Sequence, residues 1–104
     1  MNELAHLSKF VLNLPAKITH NDAEALARKL IGQVSAQPDV VMVGAQHLIE
    51  FDSSALAVLL ACRRAAWAAG KQFSINSLPD KLAQLAGLYG VAQLLVPPVA
   101  SELS

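Results

Sequence analysis

The polar step Asp52-Ser53-Ser54 opens the longest strongly apolar run of the sequence, from Ala55 to Cys62, and no other stretch limits the fold as sharply. Asp and Ser are favoured at helix starts because their side-chain oxygens accept the free N–H groups of the first turn. The run predicts a helix over 54–69. It is apolar nearly all round in its first half, so it is expected to be buried on more than one side. Arg63 and Arg64 mark its emergence into solvent, and Gly70 stands where a C-terminal cap belongs. A helix start also carries about half a positive charge and favours anions. The hydroxyl at Ser53 is therefore either a plain cap or a place where a phosphate is tolerated.

The flanking segments supply strands and further helices. Phe10, Leu12 and Leu14 alternate with Val11 and Asn13 and read as a strand, with a poorly marked partner over 3–7 and a turn at Ser8-Lys9. Thr19-His20-Asn21-Asp22 is a cluster of capping residues. After it, Leu26, Leu30, Ile31 and Val34 predict an amphipathic helix over 23–36. Val40-Val41-Met42-Val43 reads as an interior strand buried on both faces. Residues 71–76 alternate as another strand. Ser77-Leu78-Pro79-Asp80 resembles a capping box, and the helix after it carries Leu82, Leu85 and Tyr89 and is closed by Gly90. Leu94-Leu95-Val96 is expected to form a last edge strand, and the tail over 97–104 to fray.

Strand–helix–strand order implies parallel pairing with right-handed crossovers. The expected architecture is α/β: one domain over 1–104 with its core at about 4–96. A mixed, mostly parallel sheet of about four to five strands would pack with three to four helices. With 104 residues, 54% of them hydrophobic, the chain can build one real core. Eight basic residues cancel eight acidic ones, which leaves no electrostatic footprint for nucleic acid. The apolar run is far shorter than the roughly 20 residues that span a bilayer. No signal peptide is visible, and the single cysteine forms no internal disulfide, so a cytoplasmic protein is the simplest reading.

Asp52-Ser53-Ser54-Ala55-Leu56-Ala57 resembles the Asp-Ser-Ser/Thr-Gly-Leu-Gly signature of STAS domains, the sulfate-transporter and anti-sigma-factor-antagonist family. The stretch from Leu78 to Tyr89 resembles the last helix of the small MlaB-type members. There an Asp-Lys, a Leu-Ala and a Leu-Tyr pair fall at corresponding places. The resemblance implies a STAS-like fold and a non-catalytic binding module. It would be a cytoplasmic accessory subunit, peripheral to the inner membrane, that docks on the ATPase of a phospholipid-transport ABC complex. Its link to the membrane, and to outer-membrane lipid asymmetry, would run only through that complex. Ser53 matches the serine phosphorylated in anti-sigma-factor antagonists. The alternative is thus a regulator switched by an anti-sigma kinase at Ser53.

The chain departs from the family pattern at Ala55, where the signature has glycine. It departs again at Gly44 and over Ala16-Lys17-Ile18-Thr19, where many members carry acids near the phosphorylated serine. These losses weigh more against a phosphorylation switch than against docking. Ser53, with Asp52 and Ser54 beside it, is the candidate docking or modification site. Asp52 reads as a cap or loop acid. His6, His20 and His47 lie in unrelated segments without metal-ligand spacing, so no metal, cofactor or catalytic set is expected. Cys62 reads as a small apolar core residue. Trp67 reads first as part of the core, with an interface anchor as the alternative.

Overall fold

The computed structural model describes residues 11–95. Its elements are β1 (Val11–Asn13), β2 (Lys17–Ile18), α1 (Ala23–Val34), β3 (Val40–Gly44), β4 (Glu50–Phe51), α2 (Ser54–Ala68), β5 (Gln72–Asn76), α3 (Asp80–Leu88) and α4 (Ala92–Leu95). The strands form a sheet ordered β1-β3-β5 and a separate pair β2-β4. Every pairing is parallel, in the register Leu12↔Val43↔Ile75. The strand expected over 3–7, which would make the sheet mixed, lies outside the described residues, as do His6, Val96 and the tail.

The order β1-β3-β5 advances in one direction across the sheet. Right-handed crossovers of that kind put both connecting helices on the same face. Accordingly α1 and α2 pack against each other. Leu12, Val41, Val43 and Ile75 alternate toward that face and are buried, whereas Val11, Met42 and Ser74 point the other way and are half-buried. The expected two-sided burial of β3 is therefore only partial. From α1 the core takes Leu30 and Val34, while Ile31 is turned outward. From α2 it takes Ala55, Leu56, Val58, Leu59, Cys62 and Ala66. Leu60 is half-buried, on the outer flank. Burial raises the Cys62 thiol to a pKa of about 11, so it remains a protonated apolar packing group.

Glycine closes two helices in the same way. Gly70 (φ +75°) lets the Lys71 N–H reach the Ala66 carbonyl at 2.8 Å, with the Gly70 N–H on Trp67. Gly90 (φ +73°) does the same for α3, with the Val91 N–H on Ala86 at 2.9 Å. Both are Schellman closures, which need a left-handed residue after the helix. The capping box expected at Ser77 does not form. Ser77 adopts φ +60°, and Pro79 is the residue that precedes the helix. The edge strand expected at Leu94-Leu95 is also corrected: these residues belong to α4, which packs on α3 with Leu95 buried. A short apolar run carries no period that separates strand from helix.

Candidate functional site

The register of the two-residue strands places the site. Ile18 pairs with Phe51, so the residues that follow, Thr19-His20 and Asp52, emerge side by side. The Asp52 N–H donates to the Ile18 carbonyl at 3.2 Å. Asp52 then uses both carboxylate oxygens. Oδ1 accepts the Ser54 N–H at 2.9 Å and the Ser54 hydroxyl, and Oδ2 accepts the His20 N–H at 3.1 Å. The His20 imidazole Nδ1 lies 3.6 Å from Oδ2 with its ring in solvent. Thr19 is held in turn by Asp22, which accepts both its N–H and its hydroxyl. The start of α2 is thus tied to the loop before α1.

Capping of α2 falls to Asp52. Ser53 takes helical angles (φ −64°, ψ −15°), and its hydroxyl makes no bond to the helix end. Ser53 therefore does not cap, although a capping role was one of the two readings of its sequence position. The hydroxyl and then the N–H of Ser54, followed by the His20 N–H, lower the Asp52 pKa from 3.8 to about 2. The stabilisation from a depressed carboxylate is complete above the unfolded pKa and is lost as pH falls through the folded one. Asp52→Ala is expected to melt below the wild type at neutral pH. The gap should close as pH drops from about 4 to about 2. A gap that stayed constant over thermal melts in that range would mean that the carboxylate charge is immaterial.

Ser53 is exposed and stands at the rim of a shallow apolar groove of about 270 Å³, lined also by Leu56, Ala57, Leu60, Tyr89 and Val91. A second groove of about 340 Å³, lined by Phe51, Lys81, Gln84, Leu85 and Leu88, lies along α3. Between them Leu88 and Tyr89 are 82% and 61% exposed. Tyr89 lies at helical spacing from Leu82 and Leu85, yet it does not join the core as Leu82 does. It is instead the last residue of the α3 closure, one step before Gly90, and points outward. Trp67, for which a core place was expected before that of an interface anchor, is 60% exposed on α2. Tyr89 keeps the helical spacing of Leu82 and Leu85, so only Trp67, one residue past buried Ala66 and off the row of Leu59 and Cys62, signals an outer apolar surface.

Other positions settle on structural roles. Ala55 is fully buried, so the methyl that replaces the signature glycine is core. At Gly44 a Cβ would come within 2.7 Å of Gln46 Oε1 and 2.8 Å of Asn13 Oδ1. Those two side chains bond across the glycine at 3.0 Å. An acid here would have to displace that amide bridge. Among the described residues, no three His, Cys, Asp or Glu side chains gather as a metal site, and no helix is long and apolar enough to cross a membrane.

A family model described as "Mlab, STAS domain" matches residues 2–97. The fold is similar to the solved structure of the anti-sigma factor antagonist SpoIIAA in its unphosphorylated form. That likeness has a TM-score of 0.66 at 15% identity and covers 89% of this chain and 82% of that one. No curated protein matches the sequence.

Proposed function

Because this chain belongs to the MlaB-type STAS domain family, we propose that it is a non-catalytic docking module, the accessory subunit that binds the ATPase of a phospholipid-transport ABC system and supports its assembly or activity. The observation that carries this reading is the apolar groove beside Ser53. Its lining holds no cationic side chain to receive a phosphate, whereas Leu60, Tyr89 and Val91 offer surface that a partner protein would dehydrate. The runner-up is an anti-sigma-factor antagonist phosphorylated at Ser53. The exposed hydroxyl favours it.

Affinity capture from native extract separates the two. An ABC ATPase is expected with the protein, and an anti-sigma kinase in its place would establish the runner-up. Ser53→Asp then locates the contact. Asp52 already caps α2, and a negative charge near a helix start is tolerated, so the melting curve should not change. At a packed interface the new carboxylate would have to shed water, and partner affinity should fall by at least about tenfold. Wild-type affinity in the folded variant would put the start of α2 outside the interface.

A further inference from the structure

The groove beside Ser53 does not end with its lining. Leu56 and Leu60 stand four residues apart on the flank of α2 that faces Tyr89. The same row continues at intervals of three and four to Arg63 and Trp67. A helix rises 1.5 Å per residue, so Ser53 to Trp67 spans roughly 21 Å of surface. Toward its far end the row changes character. The Arg63 guanidinium lies over the Trp67 ring, 3.8 Å from its centroid, and Arg64 is exposed beside it. The α2 sequence carries these two arginines and no acid. Among the described residues the ion pairs are His20–Asp52 and Arg28–Glu24, and neither involves Arg63 or Arg64. A large exposed tryptophan under a guanidinium is the kind of rigid anchor that dominates protein interfaces.

We propose that the whole outer row of α2, from Ser53 through Leu60 and Arg63 to Trp67, is one continuous docking surface, and that its occupant is a partner-protein surface that is apolar opposite Leu60 and Trp67 and carboxylate-bearing opposite Arg63 and Arg64. The inference rests on the docking function above and gives that partner its chemistry. Charge complementarity selects the occupant. A net-neutral chain that places two arginines and no acid along this helix would repel a basic surface and steer an acidic one.

Trp67 is the sole tryptophan, so 5-fluorotryptophan labelling gives a single fluorine resonance for this site. Titration of the labelled protein with the cognate ABC ATPase should shift or broaden it. Trp67→Ala should bind at least about tenfold more weakly with its melting curve unchanged, since the residue is mostly exposed. Arg64→Glu should weaken binding too and flatten its salt dependence. Ser53→Asp losing affinity while Trp67→Ala and the fluorine resonance stay as in the wild type would overturn this inference and leave the docking function standing. A wild-type protein that does not bind the ATPase would overturn both.

Discussion

Leu59→Ala is expected to lower the thermal midpoint by at least about 8 °C. Leu59 is fully buried on the inner side of α2, between the buried neighbours Val58 and Cys62. Truncating a core leucine to alanine removes transfer energy and leaves a cavity, for a loss of about 2–5 kcal/mol. For a domain of this size each kcal/mol moves the midpoint by about 4–8 °C. Lys29→Ala, on the exposed side of α1, is the control and should stay within about 0.5 kcal/mol of the wild type. Differential scanning calorimetry on both variants is the measurement. Equal, small shifts would mean that α2 does not present Leu59 to the core.

Lys71→Met is expected to give the second large loss, about 2–3 kcal/mol by the strength of hydrogen bonds to charged groups. Lys71 joins two helix ends. Its N–H closes α2, while its ammonium donates to the carbonyls of Val34 at 2.9 Å, Ser35 at 3.1 Å and Gln37. The last turn of α1 contains no basic residue of its own. Its carbonyls carry the negative end of the helix dipole, and Lys71 is the charge that answers them. Methionine keeps the length and apolar stem and removes the donors. Amide exchange should report the loss first in the last turn of α1. A variant that melted like the wild type would show that water satisfies those carbonyls equally well.

The longer elements were legible because their signals are local. The α2 run, the β-branched run of β3 and the glycines at 70 and 90 each act within a few residues of themselves. Helical period and left-handed closure need no knowledge of the distant chain. By contrast, β2 and β4 have two residues each, too few to show any period. They exist because Lys17 meets Glu50 and Ile18 meets Phe51 across the fold. Reading residues 94–96 as a strand failed for a related reason. Nothing within so short an apolar run tells α4 that it will pack on α3.

At the candidate site, the sequence determined that Asp52-Ser53-Ser54 would start a buried helix, and the family signature singled out Ser53. Tertiary structure decided which residue does what. Asp52 became the cap and knot of the site because strand pairing delivers His20, 32 residues earlier in the chain, to its second carboxylate oxygen. That left Ser53 exposed in the groove lining, with no side-chain bond to the helix end. Tyr89 looks like a core residue by type and by its spacing from Leu82 and Leu85, and Trp67 by its size offers either a core place or an interface anchor. Whether an apolar side chain is buried depends on what packs over its side of the helix. Here α1 and the sheet cover the inner side of α2, with Leu56 in the core, while Ser53, Ala57, Arg64 and Trp67 on its outer flank stay exposed. Burial is a property of the neighbours that a side chain meets, and those neighbours are chosen only when the elements pack.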